Sequence, residues 1–183
     1  MAFVVVYDAC ALYGNTVRDV LIRIARARLV QAKWTNHILD ELDRSLAARR
    51  GIPQDRRQRL RYLMNAAIPD CLVDGYEPLI DGLKLPDPED RHVLAAAIKC
   101  GAQVIVTSNV GDFPPEYLAG SDVEVRTPDD FVLDMIGISD RAVYACVQQI
   151  VDERTNPPQT FDEVLTQLER SGLIETAAVL RLG

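Results

Sequence analysis

The chain has 183 residues, of which 48% are hydrophobic, and its formal net charge is −7. This length suits one domain with at most a small appendage. The apolar content can fill a core, which excludes global disorder, and no apolar run approaches the roughly 18 residues of a membrane span. Taken alone, the acidity argues against a nucleic-acid binder, because phosphate contacts need a basic surface.

The first half of the chain predicts a strand followed by helices. Residues 2–7 form a valine-rich run that is typical of a strand buried on both faces. Apolar residues then recur at helical spacing as far as about residue 28. The pattern next predicts a helix over residues 35–50 that stops at Gly51, a helix from Pro53 to about residue 67, a short strand over 71–73 and a short helix over 76–80.

The next stretch of the chain predicts a second helix–strand unit. A helix is expected to open at Asp87-Pro88 and to run to Cys100. Residues 103–107 form the second clear strand, and residues 123–125 form a further one. Thr127, with a proline and two acids directly after it, is a helix-start signature.

From about residue 131 onward the pattern is helical throughout. A helix is predicted over residues 139–153, a break at Asn156-Pro157-Pro158, a capping box at Thr160 and Glu163, and a last helix over residues 173–182. Strands interleaved with helices predict an α/β fold with a mostly parallel sheet. The expected division is a domain over residues 1–130 and a helical C-terminal extension over residues 131–183.

Polar side chains follow both clear strands where the chain leaves the sheet. Asp8 comes directly after the first strand, and Asp112 lies five residues after Thr107, which ends the second. Because ligands gather outside the carboxyl ends of strands in open α/β sheets, both acids are candidate site residues. A helix-cap or turn role suits both acids equally well. Ser108 and Asn109 extend this junction, where they could hold a water or a carboxylate or satisfy the loop backbone.

Two helix segments carry further acids. Asp87, Glu89 and Asp90 crowd one predicted helix start, where Asp87 as the cap already has a structural purpose. Three acids so close repel one another unless a cation offsets them. Glu41 lies between two other acids and among inward-facing leucines, so at least one of these acids is near the buried face. Three solvated acids on an outer face would fit the periodicity as well.

Together these acids form an oxygen-rich set of the kind that a hard divalent cation requires. Two such ions can activate a water and stabilise the leaving oxygen in phosphodiester cleavage. The charge distribution agrees with this chemistry, since residues 17–66 hold twelve Lys+Arg and five Asp+Glu, a local charge of +7, and the remainder carries −14. Such a block can contact a phosphodiester backbone, although solvated helix faces would explain it too.

Four stretches of the sequence resemble PIN-domain ribonucleases of the kind found as VapC toxins in bacterial toxin–antitoxin pairs. They are VVVYDACALY around Asp8, ILDELDRSL around Glu41, LPDPEDRHVLAAAI around Asp87 and Asp90, and VIVTSNVGDFP around Asp112. The resemblance implies a Rossmann-like three-layer α/β/α sandwich. It also implies an endoribonuclease that depends on Mg²⁺ or Mn²⁺.

The resemblance also implies residue roles. Family members often carry Ser or Thr shortly after the first acid, whereas Ala9 and Cys10 follow it here. The implied catalytic acids are Asp8, Glu41, Asp90 and Asp112, of which Asp8, Asp90 and Asp112 bind the metal, with Asp87, Asn109 and Thr107 in support.

The implied partners are an RNA substrate and a small antitoxin that covers the site. The C-terminal extension has apolar helix faces, which could pack on the domain or form the surface of a homodimer or of a partner complex. Four scattered cysteines and a start without a basic stretch predict a reduced, cytoplasmic protein with no secretory signal and no membrane contact.

Two other functions fit parts of the pattern. A phosphatase with an aspartyl nucleophile at Asp8 would need a second Asp two residues later, where Cys10 stands. A PIN-like scaffold that binds RNA or a partner without cutting is disfavoured by the complete acidic set.

Overall fold

The computed structural model describes residues 3–183, and its centre is a four-stranded, entirely parallel sheet. The strand order is β2-β1-β3-β4. Because the strands are parallel, their carboxyl ends meet at one edge of the sheet, where ligands bind in folds of this class. The strands are β1 (Phe3–Tyr7), β2 (Val30–Lys33), β3 (Val104–Val106) and β4 (Glu124–Arg126).

Helices cover both faces of the sheet and give a three-layer α/β/α fold, which confirms the predicted fold class. Two 3₁₀ turns, Pro88–Asp90 and Val110–Asp112, lie at the carboxyl edge of the sheet. The helices are α1 (Ala9–Leu12), α2 (Asn15–Arg26), α3 (Asn36–Arg50), α4 (Gln54–Ala67), α5 (Glu77–Ile80), α6 (Arg91–Cys100), α7 (Pro115–Leu118), α8 (Pro128–Glu153), α9 (Phe161–Arg170) and α10 (Ile174–Leu182).

Helix ends follow the local sequence closely. Helix α3 begins where the Thr35 hydroxyl accepts a hydrogen bond from the Ile38 N–H at 3.0 Å, and it ends at Gly51, whose φ of 59° suits glycine. The predicted capping box is also present, because Thr160 and Glu163 each accept a hydrogen bond from the other's backbone N–H.

Three of the differences between the structure and the sequence prediction concern the sheet and its surroundings. Strand β2 was not predicted, because it is a short edge strand in which only Val30 and Ala32 are buried. Residues 71–73 form a single bridge, Trp34 to Leu72, instead of a strand. The helix predicted to open at Pro88 begins with a 3₁₀ turn, and the α-helix starts at Arg91.

The C-terminal helices pack onto the rest of the molecule. Helix α8 is interrupted at Ser139, whose φ of −159° is extended, and the Ser139 hydroxyl caps the following segment through the Ala142 N–H at 3.3 Å. This agrees with a helix predicted from residue 139. Helix α8 contacts α2, and α9 and α10 contact α8. The expected domain boundary at residue 130 falls within the first turn of α8.

Most of the core is one large buried cluster that includes residues of the sheet, of α2 and of the C-terminal helices. A small second cluster contains Val73, Tyr76, Ala95 and Ala96. Across the residues that the structure describes, no helix is both long and apolar enough to cross a lipid bilayer.

Candidate active site

A cavity of about 550 Å³ opens at the carboxyl edge of the sheet. The residues that line it include three acids, Asp8, Glu41 and Asp90, and two arginines, Arg44 and Arg49. Three of the four acids that the sequence singled out therefore meet in one space, although they come from β1, α3 and the start of α6.

Asp8 is both a helix cap and a wall of this cavity. Its Oδ1 accepts a hydrogen bond from the Ala9 N–H at 2.7 Å, and its Oδ2 accepts one from the Thr107 hydroxyl at 2.8 Å. The register pairs Tyr7 with Val106, so the residues that follow the two strands are neighbours. Asp8 thus has the helix-cap role that the sequence left open, and the same buried carboxylate, only 5% exposed, lines the cavity.

A thiol also holds this carboxylate. The Cys10 Sγ lies 3.1 Å from Asp8 Oδ2 and 3.1 Å from the Thr107 hydroxyl, and it accepts a hydrogen bond from the Ser108 N–H at 3.2 Å. Burial and then the Asp8 charge raise the pKa of Cys10 to about 11, so the thiol keeps its proton at neutral pH and donates it to Asp8. Sequence reasoning assigned no role to Cys10; its position two residues after a strand-end acid was the available signal.

Asp90 lies where the 3₁₀ turn passes into α6, and its pKa is shifted by its surroundings. The pKa of Asp90 is raised from 3.8 to about 6, chiefly by burial and then, in decreasing order, by the negative charges of Asp8, Asp112, Asp87 and Glu41. Asp112, in the 3₁₀ turn after β3, thus contributes its charge from beside the cavity. The carboxylates are close enough to oppose one another's ionisation, which is the field that a bound cation would offset.

Asp87 has a structural role at the same helix start. Its carboxylate accepts a hydrogen bond from the Glu89 N–H at 2.9 Å, as its predicted cap position requires, and its side chain is exposed. Asn109 lines the cavity, and its backbone N–H donates to the Thr107 hydroxyl at 3.1 Å. Thr107 therefore links the loop after β3 to Asp8.

The three acids of α3 have separate partners. Asp40 pairs with Arg61 and Asp43 pairs with Arg57, both across to α4. Glu41 turns instead toward the cavity, where its Oε1 lies 3.0 Å from the Nε2 of the buried His92. This arrangement identifies Glu41 as the acid of the three that faces the site.

The basic wall of the cavity is formed by α3. Arg44 and Arg49 have no ion pair or side-chain hydrogen bond within residues 3–183, so their charges are available to a ligand. Beside them, the Arg50 guanidinium lies 4.3 Å from the centre of the Tyr13 ring, and Tyr13 also lines the cavity. The sequence located these arginines only as members of a basic block.

Comparison with known proteins gives two family matches. The family model described as PIN domain matches residues 4–111, more than half of the chain, and the one described as VapC50 C-terminal domain matches residues 128–182. A curated Mycobacterium tuberculosis protein named "Putative ribonuclease VapC50" is 38% identical over 94 residues, which are 51% of this chain and 55% of the relative. The chain thus aligns with about half the length of that relative. No solved structure matches the chain significantly.

Proposed function

Because the chain belongs to the PIN-domain family, as its four acidic motifs predict, we propose that it is a divalent-metal-dependent endoribonuclease that hydrolyses RNA phosphodiester bonds. The name of the similar mycobacterial protein, "Putative ribonuclease VapC50", supports this activity. The observation that carries the proposal is the convergence of Asp8, Glu41 and Asp90 on one cavity, where burial and then the neighbouring carboxylates raise the pKa of Asp90 to about 6.

The donor set fits a hard divalent ion, since carboxylate oxygens are the ligands that Mg²⁺ and Mn²⁺ take in proteins. Asp8, Asp90 and Asp112 would hold the ion, directly or through water. When bound, the cation supplies Lewis acidity to the phosphodiester and the attacking water. Glu41 completes the same site or orients that water.

The remaining residues of the site position the carboxylates. The Ala9 N–H and the Thr107 hydroxyl fix both oxygens of Asp8, so this carboxylate is preorganised. The His92 ring does the same for Glu41. Asn109 lines the cavity beside Thr107, and Asp87 adds negative charge at the α6 start, so both support the site.

The RNA backbone would lie along α3. Arg44 and Arg49 line the same cavity as the acids, where they can bind the phosphates that flank the scissile bond. A cavity of about 550 Å³ admits a nucleotide taken out of a helix more easily than a base pair, so the substrate class is single-stranded or looped RNA.

We propose further that the protein is the toxin of a type II toxin–antitoxin pair, in which a small antitoxin covers the site. The match to the VapC50 C-terminal domain supports this reading. An acidic cavity favours a partner that inserts a basic side chain. In this proposal residues 1–130 form the nuclease domain and residues 131–183 form the helical extension. Homodimerisation and a cytoplasmic location stay predictions. Undiminished RNA cleavage in the presence of the protein encoded by a neighbouring small gene would contradict the antitoxin assignment.

The activity is tested by replacing the acids without changing their shape. Asp8→Asn and Asp90→Asn should each lower Mn²⁺-supported cleavage of a looped RNA by at least about a hundredfold, because each removes a metal ligand. Asp140→Asn, at an exposed acid of α8, is the matched control and should cleave normally. Chelation by EDTA should abolish cleavage by the parent.

Two results would overturn the proposal. Cleavage that survives in both site variants would show that these acids are not the catalytic set. A parent protein that binds Mn²⁺ in calorimetry but never cleaves RNA would favour the non-catalytic scaffold instead.

A further inference from the structure

Both histidines of the chain lie together beside the candidate active site. The sequence holds two histidines, His37 on α3 and His92 on α6, and their rings stack with centroids 3.8 Å apart and planes inclined by 20°. They share one acid, because Glu41 Oε1 lies 3.0 Å from the Nε2 of His92 and 3.8 Å from the Nε2 of His37. Two imidazoles and one carboxylate thus converge on a single point.

The local structure explains this convergence. His37 and Glu41 are four residues apart on α3, so they lie on one face of the helix, one turn above the other. His92 comes from the first turn of α6 and is 2% exposed, which fixes its ring, whereas the His37 side chain is 40% exposed and can turn. One rigid ligand is therefore matched with one adjustable ligand.

The distances suit a shared metal ion. With bonds of about 2.0–2.2 Å to nitrogen and oxygen, ligand atoms in a tetrahedral site lie roughly 3.3 Å apart. The observed separations of 3.0 and 3.8 Å from Glu41 Oε1 bracket that value, and the three ligand atoms all lie within 4.8 Å of one another. The stacked rings must spread for both nitrogens to face one ion, and the exposed His37 allows this movement.

We propose that His37, Glu41 and His92 form a second metal site, which binds Zn²⁺ or a similar transition-metal ion in preference to Mg²⁺. Imidazole nitrogen is a ligand for zinc, copper and nickel, whereas Mg²⁺ prefers an all-oxygen set. Two histidines and a glutamate with an open fourth position are a recurrent zinc ligand set. The two imidazole ligands therefore give this site a different metal preference from the carboxylate set of Asp8, Asp90 and Asp112.

One feature of His92 limits the affinity. When Nε2 binds a metal, Nδ1 carries the proton, and the Nδ1 of His92 is buried without a hydrogen-bond partner among the described residues. Strong zinc sites give this proton an acceptor, and losing such an acceptor costs about 10–100-fold in affinity. The site should therefore bind Zn²⁺ reversibly, with a dissociation constant in the micromolar range.

The position of Glu41 links this site to catalysis, and this step rests on the proposed function. Glu41 also lines the cavity with Asp8 and Asp90, so a transition-metal ion that takes its carboxylate withdraws it from the catalytic set. Zn²⁺ should then inhibit RNA cleavage supported by Mg²⁺. The second site is a means by which the concentration of a transition metal controls the nuclease.

Binding is tested without any activity assay. The untagged chain has only two histidines, so a histidine ring NMR spectrum of the metal-free protein at pH 7.5 contains two sets of resonances. Titration with ZnCl₂ should shift both sets with a stoichiometry of one, whereas millimolar MgCl₂ should leave them in place. Zn²⁺ binding that leaves both rings unchanged would overturn the proposal, because the ion would then sit elsewhere, for example on Cys10.

A variant on the exposed histidine separates the site from the fold. His37→Ala should raise the Zn²⁺ dissociation constant at least about tenfold, because it removes one of three ligands. Asn36→Ala, at the neighbouring exposed residue of α3, is the matched control and should bind Zn²⁺ like the parent. Equal Zn²⁺ affinity in His37→Ala and the parent would contradict the proposed ligand set.

The cleavage assay then tests the regulatory step separately. Micromolar Zn²⁺ should inhibit Mg²⁺-supported cleavage by the parent, and His37→Ala should cleave normally and lose this inhibition. Inhibition that persists in His37→Ala would overturn the control role. A protein that binds Zn²⁺ through both histidines but cleaves no RNA would support the metal site and overturn the proposed nuclease function.

Discussion

At the scale of single residues, the Asp8 carboxylate depends on groups from a distant part of the sequence. The Thr107 hydroxyl donates to Asp8 Oδ2 at 2.8 Å and also accepts the Asn109 N–H at 3.1 Å. Thr107 is completely buried, so water cannot replace its hydroxyl. A group that holds a metal-ligand oxygen in this way tunes metal affinity without touching the ion.

Removing this hydroxyl should therefore weaken metal binding. Thr107→Val keeps the side-chain shape, and we expect Mn²⁺ affinity measured by calorimetry to fall about tenfold, with a loss of about 1 kcal/mol in the free energy of unfolding. Thr176→Val is the matched control, since its hydroxyl is equally buried but contacts the Asp129 carbonyl, far along the chain. Equal Mn²⁺ affinity in both variants would contradict the positioning role.

Asp90 should lower the stability of the metal-free protein. Its pKa is raised to about 6 when folded, against 3.8 ordinarily, so the folded chain binds this proton more tightly than the unfolded chain. Stability therefore falls as pH rises from about 4 to 6 and stays low above that window. Asp90→Asn removes the charge, and at pH 7.5 in EDTA we expect a melting temperature about 1–3 °C higher.

Calorimetry at two pH values checks this prediction. The gain of Asp90→Asn over the parent should shrink as pH falls through 6 toward 4, where the parent carboxyl is itself protonated. Asp81→Asn, at an exposed acid outside the site, should show no gain. If the melting temperature of Asp90→Asn at pH 7.5 equals or falls below that of the parent, the ionised Asp90 carboxylate does not destabilise the folded protein.

At the scale of elements, Asp129 joins the starts of two helices. It lies in the first turn of α8, and its carboxylate accepts hydrogen bonds from the N–H groups of Glu175 and Thr176 at 3.0 and 2.9 Å, in the first turn of α10. No side chain of α10 itself caps this end. A residue in one helix therefore acts as the cap of another, 46 residues later.

Loss of this cap should loosen α10. Asp129→Ala should lower the free energy of unfolding in urea by about 1 kcal/mol and speed hydrogen exchange at the Glu175 and Thr176 amides. Asp130→Ala is the matched control, because it also removes an acid from the first turn of α8, and the Asp130 carboxylate accepts its hydrogen bond from the Thr127 hydroxyl of the same helix start. Unchanged exchange at both amides in Asp129→Ala would show that the cap has no energetic effect.

Elements with a strong local signal could be predicted from the sequence. The apolar run of β1, the cap and glycine stop of α3 and the capping box of α9 each depend on neighbouring residues, and all are confirmed. Strand β2 was missed because a four-residue edge strand has too few alternations to show a period. Its pairing with β1 depends on residues 27 positions away, which local patterns do not contain.

The site shows the same division between local and distant information. Acids at strand ends and helix starts could be identified by position, because parallel strands bring their carboxyl ends together. The contact of Cys10 with Thr107 and the stacking of His37 on His92 could not be identified in this way, since each arises between separate elements. The catalytic roles of Asp8, Glu41, Asp90 and Asp112 stay predictions.

At the scale of the whole molecule, the basic block has two separate uses. Several arginines are bound internally: Arg23 pairs with Asp19 and Glu153, and Arg57 and Arg61 pair with acids of α3. Arg44 and Arg49 remain free at the cavity. Most of the arginines named here therefore join helices, and a smaller number have charges available to a ligand, so a protein with a negative net charge can still present a local basic surface such as the proposed RNA contact.

The C-terminal helices should be required for folding and not only for binding a partner. Helix α2 packs against α8, and Val20, Leu21 and Ile24 of α2 belong to the same buried cluster as Val147 and Ile150 of α8. Each such side chain contributes about 1.5–3 kcal/mol when buried, against a total stability of about 5–15 kcal/mol for a typical domain. Loss of the α8 side chains from this cluster would therefore remove most of the free energy of unfolding.

A chain truncated after Ile136 should accordingly fail to fold cooperatively. We expect it to lack the sharp thermal transition seen by circular dichroism in the full chain and to bind a hydrophobic dye, because the face of α2 becomes exposed. Removal of Leu182 and Gly183 alone is the control, since Leu182 is 90% exposed and its loss should change stability by less than about 0.5 kcal/mol. A truncated chain that melts as sharply as the full one would show that the rest of the chain folds without residues 137–183.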